Sequence, residues 1–129
     1  MLRAVLITSL LLTACARDET LSAYGAAGTE WQLQVIDGAA FPAAATLMFP
    51  EPGKIAGRGP CNNFLGSQDA PYPWFETGPL AVTRMACPKL EAEAAFLQAL
   101  QQMTLAEVTG DVLILSNEAG REMLFKDGG

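Results

Sequence analysis

Short runs in which apolar and polar residues alternate fill most of this chain, and one segment alone changes to the longer period of a helix. In "WQLQVI", Trp31, Leu33 and Val35 alternate with Gln32 and Gln34, and the run stops at Asp37-Gly38, a strong turn signal. Leu47 and Phe49 share a face, "PEPG" interrupts, and "KIAGR" resumes, which predicts a hairpin over residues 45–59. "YPWFE" and "PLAVT", separated by Thr77-Gly78, read as two more strands. Near the end "VLIL" and "MLF" flank "SNEAGRE", whose Asn117 and Gly120 suit a further hairpin. The unbroken apolar run 112–115 predicts a central strand covered on both faces.

The helical segment is "CPKLEAEAAFLQALQQM". At about 100° per residue, Leu90, Ala94, Leu97, Phe96, Leu100 and Met103 fall on one broad arc and Glu91, Gln98 and Gln102 fall opposite. Pro88 stands where a first-turn proline is tolerated, and Glu91 and Glu93 complement the positive end of the helix dipole. The expected fold is α+β: one amphipathic helix over residues 88–103 lays its apolar face on a sheet of about seven or eight short strands, which must curl or close to hide its edges.

The N-terminus departs from this pattern. "MLRAVLITSLLLTAC" carries Arg3, an apolar run from Ala4 to Leu12 and small residues before a cysteine, the layout of a secretory signal peptide over residues 1–14. Leu12-Thr13-Ala14-Cys15 resembles a bacterial lipobox, which implies acylation of Cys15 and attachment to a lipid bilayer without a span. Ala16 rather than aspartate follows, and by resemblance to lipoprotein sorting this places the protein in the cell envelope, on the periplasmic face of the outer membrane. Residues 15–28 lack apolar periodicity and are expected to form a flexible acylated tether, leaving 29–129 as one domain.

With Cys15 assigned to lipid, Cys61 and Cys87 remain as an even pair in an oxidising compartment. A disulfide between them is the expectation, and two separately buried thiols stay open as the alternative. The chain carries 8 basic and 14 acidic side chains and no histidine, a net charge of −6. No basic stripe interrupts the acidity, so nucleic acid is excluded as a partner.

The densest turn chemistry lies in "GRGPCNNFLGSQ", residues 57–68. Zinc sites want histidine or closely spaced cysteine pairs, and a serine or cysteine nucleophile wants a base that the chain lacks. The Gly57-x-Gly59 pair is without the Gly-Lys-Ser/Thr ending of a phosphate loop, and Glu91 and Glu93, two apart on a helix, point to different sides. A structural corner is expected instead. Gly57 and Gly59 permit a bulge or a close backbone approach, Pro60 ends the ladder, and Asn62 and Asn63 can bond their own backbone. Arg84 has two readings, one bonding Asn62 or the glycine loop and one simply solvated. Trp31 and Trp74 are expected as core or sheet-covering aromatics, and the dispersed Met48, Met85, Met103 and Met123 as core fillers.

"RGPCNNFLGS" followed by "TRMACP", an acidic helix ending in "FLQALQQM", and "VLILSNEAGREMLF" resembles the META-domain family of HslJ-like, heat-shock-associated bacterial lipoproteins. The opening "WQLQVIDG" fits as well, so the likeness spans residues 30–126. Where relatives often carry an aromatic after the glycine at 66, this chain has Ser67-Gln68. The resemblance implies an antiparallel, barrel-like curled sheet packed around the one helix, a role in envelope stress or antibiotic tolerance, and no enzymatic activity. It also singles out Asn62, Gly66, Thr83, Arg84 and Met85 as a structural or interaction motif. The functional expectation is a monomeric, non-catalytic lipoprotein that needs no cofactor or metal and contacts an envelope protein. Two alternatives stand beside it: a small-ligand carrier with a cavity inside the sheet, and an enzyme inhibitor presenting "DAPYPWF".

Overall fold

The structure is a computed structural model and describes residues 18–128. The signal peptide over 1–14 and the lipidation of Cys15 lie outside the described residues. Nine strands and one helix follow in the order β1 (Trp31–Ile36), β2 (Ala39–Ala40), β3 (Thr46–Met48), β4 (Lys54–Arg58), β5 (Asn63–Ser67), β6 (Ala81–Val82), α1 (Leu90–Gln102), β7 (Leu105–Thr109), β8 (Val112–Ser116) and β9 (Glu122–Asp127). Every pairing is antiparallel, in the order β6-β5-β4-β3-β1-β9-β8-β7, with β2 folded back on β1. The expected α+β fold is present, with the sheet curled but not closed. Inward residues of the sheet, among them Trp31, Leu47, Phe64, Leu113 and Phe125, form one core with Phe96, Ala99 and Leu100 of α1. The Phe96 ring meets Phe64 edge-on at 5.6 Å and Phe41 at 6.2 Å. No helix among the described residues is long and apolar enough to cross a membrane.

The predicted hairpins over 45–59 and 112–125 are both present. Asp37 and Gly38 take φ of +50° and +80°, the backbone that a two-residue hairpin turn demands and that Asp-Gly favours. "NFLGS" and "LAEVT" are strands that the turn residues and the mixed polarity concealed. The apolar run 112–115 is not covered on both faces. β8 lies one place from the end of the sheet; Leu113 and Leu115 are buried, whereas Val112 and Ile114 on the other face are half-buried. A single layer of helix shields only one side of the sheet, so the apolar residues of the outer face do not mark a second covered surface.

The expected strand "YPWFE" is instead a strap between the two ends of the sheet. Against β7, the Phe75 N–H donates to Thr104 O (2.9 Å) and the Ala106 N–H to Pro73 O (2.8 Å). Against β5, the Gly78 N–H donates to Ser67 O (3.1 Å). Gln68 is buried beneath the strap, its Oε1 accepting the N–H groups of Ala70 (2.8 Å) and Glu76 (3.4 Å). Phe75 is buried as an anchor, but Trp74, expected as a core or sheet-covering aromatic, is 54% exposed. Two prolines and a hydrogen-bonded turn, Trp74 N–H to Pro71 O at 2.8 Å, prevent the regular ladder that would have turned this indole inward.

Residues 20–28 of the expected tether belong to the domain. Thr20 bridges to Pro71, a short 3₁₀ turn covers Leu21–Tyr24, and Leu21 and Ala26 are fully buried. Tyr24 stacks on Tyr72 with centroids 4.5 Å apart, and the buried Trp31 donates its indole N–H to Ala26 O (3.1 Å). Two buried side chains and one buried hydrogen bond are enough to dock a segment whose composition is polar. The Asp18 carboxylate accepts hydrogen bonds from Ser22 Oγ (2.6 Å) and the Thr20 hydroxyl and N–H, which hold its pKa below the ordinary value. Replacing Leu21 with alanine is expected to cost about 2–3 kcal/mol, the usual loss for a buried leucine, in urea denaturation of the folded chain. A flexible tether would give no change.

At the opposite end, Asp37 accepts the Glu122 N–H (3.0 Å) and the Arg121 Nε (3.0 Å) and Nη2 (2.9 Å), joining the β1–β2 turn to β9. The Glu122 N–H, and after it the Arg121 guanidinium, lower the Asp37 pKa. Because the folded value lies below the unfolded one, the stabilisation is present above the ordinary aspartate range, about 4, and is lost as the pH falls through the lowered value. Stability curves of wild type and Asp37→Asn are therefore expected to differ at neutral pH and to converge in acid.

Candidate functional site

The residues singled out in the sequence meet where the β4–β5 turn, the segment after β6 and the start of α1 come together. Cys61 and Cys87 are disulfide-bonded with Cα atoms 5.7 Å apart, so the alternative of two free thiols is set aside. Beside this bond lies Glu93, a carboxylate only 4% exposed. Its Oε1 accepts the backbone N–H groups of Cys61 (3.1 Å) and Asn62 (2.6 Å), and its Oε2 accepts Asn62 Nδ2 (2.7 Å). Asn62, equally buried, uses its whole side chain. Nδ2 also donates to Met85 O (3.1 Å), and Oδ1 accepts the Thr83 hydroxyl (3.0 Å) and the Met85 N–H (2.5 Å). Thr83 Oγ1 in turn accepts the Asn63 N–H (3.1 Å).

Local geometry explains the glycines. The Gly59 N–H donates to Asn62 O (2.8 Å), closing the turn, and a Cβ at Gly59 would stand 2.5 Å from Glu93 Oε1. Glycine at 59 therefore makes the room that the carboxylate fills. Gly66 serves a separate contact within β5, where a Cβ would meet Leu80 Cδ2 at 2.7 Å.

Asn62, Thr83 and Met85 are thus brought together with the disulfide, Met85 through its backbone alone, for its side chain is 61% exposed and fills no core. Arg84 is exposed and makes no hydrogen bond to Asn62 or to the glycine loop among the described residues, because the backbone of Met85 occupies the Asn62 amide. Asn62 does not bond its own backbone as expected: its side chain reaches across to the segment after β6 and to α1. Glu93 is the residue that dipole reasoning misplaced. The signal was available, since Glu93, Phe96 and Leu100 lie at i, i+3 and i+7 on one helical face, and all three are buried. Leu90 and Ala94, assigned to the apolar arc, are exposed instead.

Chemically the cluster is a brace: one carboxylate and one amide satisfy four backbone groups and tie three segments beside a covalent link. No group of three or more cysteine, aspartate or glutamate residues is placed to hold a metal among the described residues. The interior that a ligand carrier would use is taken by Phe64, Phe96, Leu47 and Leu100.

The META domain profile matches residues 24–128. This chain belongs to the META-domain family. Among solved structures, this META domain is similar to an NMR structure of a protein from Burkholderia xenovorans, 25% identical with a TM-score of 0.65, over 90% of this chain and 94% of that one. A second NMR structure is 24% identical with a TM-score of 0.58, over 76% of this chain and 87% of that one. A crystal structure of a DUF4847 family protein from Bacteroides vulgatus is 16% identical with a TM-score of 0.52, over 64% of this chain and 57% of that one, and shares the fold alone. Among curated proteins none matches. The family match begins at Tyr24, within the segment that docks through Leu21 and Ala26.

Proposed function

We propose that this META-domain protein is a lipid-anchored, non-catalytic component of the bacterial cell envelope that serves envelope stress or antibiotic tolerance through contacts with other proteins. The observation that carries the reading is the brace: Asn62 and Glu93, the polar side chains most deeply placed in the motif, spend their hydrogen bonds on one another and on the backbone. The motif then acts as a rigid support for whatever surface the domain presents. The lipobox Leu12–Cys15 supports the anchoring and the family resemblance supports the stress role.

A deletion strain, profiled against heat and envelope-active antibiotics and complemented with wild type or Cys15→Ser, tests the reading. Wild type is expected to restore tolerance and Cys15→Ser to fail, with the mass of the native chain showing an acylated Cys15. Full rescue by Cys15→Ser, or an unmodified Cys15, would overturn the anchoring. Turnover of a substrate by the purified chain would overturn the non-catalytic role.

A further inference from the structure

The two end strands of the sheet are treated unequally. β7 is partnered by the strap at Pro73 and Phe75, whereas β6 pairs only with β5. The Thr83 N–H donates to Asn63 O (3.1 Å) while the Asn63 N–H goes to Thr83 Oγ1 (3.1 Å), so residues 63 and 83 keep one ladder bond of a hydrogen-bonded pair and Phe64↔Val82 beside it is the non-bonded pair. The backbone N–H and C=O of Val82 therefore face away from β5, along an edge that no element of the described chain covers. Beside this edge runs a groove of about 480 Å³. Leu80, Val82 and Met85 line one wall and Leu90 and Leu97 of α1 the other. Met85 and Leu90 are the side chains left most exposed there, at 61% and 43%. In a chain of net charge −6, the one charged residue lining this groove is a cation, Arg84.

We propose that the β6 edge and this groove bind an extended peptide segment of a partner protein, added to the sheet as a further antiparallel or parallel strand. Its backbone would bond Val82, its alternate apolar side chains would enter between Val82 and Leu97, and an acidic residue would pair with Arg84. Strand addition of this kind takes affinity from main-chain hydrogen bonds and specificity from the pockets that receive every second side chain. The brace holds the edge in place, since Thr83 and Met85 on either side of Arg84 are fastened to Asn62. The proposal rests on the reading of protein contacts above and names the surface and the chemistry of the partner.

The test titrates the full ¹⁵N-labelled chain with a synthetic peptide of alternating valine and threonine carrying one central glutamate. Saturable shifts of amides in 79–86 and 90–97, with slowed hydrogen exchange at Val82, are expected. N-methylation of alternate peptide amides should weaken binding about tenfold through the lost hydrogen bonds. Lysine in place of the glutamate, or Arg84→Glu in the protein, should weaken it about two- to fivefold, as for a surface ion pair. No shifts up to the solubility limit of the peptide, equal binding of the N-methylated peptide, the same shifts with detergent alone, or dimerisation of the free chain through 79–86 would each overturn the proposal. None of these outcomes depends on Cys15 or on the envelope location, so this failure is distinguishable from failure of the anchoring.

Discussion

Glu93→Ala is expected to destabilise the domain by about 3–4 kcal/mol, a large part of the 5–15 kcal/mol or so that holds a domain of this size together. The carboxylate is buried and accepts two backbone N–H groups and one amide N–H. Hydrogen bonds to a charged group are worth about 1.5–3 kcal/mol each, and a buried donor left without an acceptor costs about 1–3 kcal/mol. Water entering the vacated space offsets part of that sum, which keeps the expected total below the simple addition. Glu93→Gln separates charge from shape. Its carbonyl oxygen can still accept the Cys61 and Asn62 N–H groups, but its amide nitrogen then faces Asn62 Nδ2, donor against donor. Asn62 cannot turn over to relieve this, because its Oδ1 is committed to Thr83 and Met85. A loss of about 1–2 kcal/mol is expected for Glu93→Gln. Urea denaturation under non-reducing conditions measures both, and a Glu93→Gln chain within 0.5 kcal/mol of wild type would show that the brace does not act as described.

Removal of the disulfide by Cys61→Ala with Cys87→Ala is expected to cost about 3–4 kcal/mol, from the entropy regained by the unfolded chain. The two cysteines are 26 residues apart in sequence, and that separation sets the estimate. The bond fastens the β4–β5 turn to the segment just before α1 and the Glu93 brace fastens the same turn to the first turns of α1, so the two losses should not add. A double-mutant cycle is expected to give a coupling of about 0.5–3 kcal/mol, while strict additivity would mean that the turn holds its place by other contacts. Equal denaturation midpoints with and without the bond would remove the disulfide from the account of stability.

The fold was legible where side-chain period and turn chemistry agreed. "WQLQVI" with Asp37-Gly38, the hairpin around "PEPG" and the last hairpin all carried both signals, and all three formed. Reading failed where one local signal masked another. In "NFLGS" the asparagine and glycine spoke for a turn, yet Gly66 is a strand residue kept small by Leu80 packed against it. In "YPWFE" the aromatics spoke for a strand, while Pro71 and Pro73 denied the ladder its donors. The site was legible as a set of residues and not as a mechanism. Parity of the cysteines and the family resemblance pointed to Cys61, Asn62, Thr83 and Met85, but the partner that unites them lies on the apolar face of a helix. A carboxylate in that position is favourable only because three N–H donors converge on it, and convergence across 31 residues leaves no trace in local sequence.

The two indoles occupy opposite optical environments. Trp31 is 1% exposed and its N–H is held by Ala26, whereas Trp74 stands in solvent on the strap. An aqueous quencher such as iodide should extinguish only the red-shifted half of the emission in the native protein, leaving a blue component that reports whether the N-terminal segment is seated. The molecule thereby contains its own pair of lamps, one for the seam of the sheet and one for its interior.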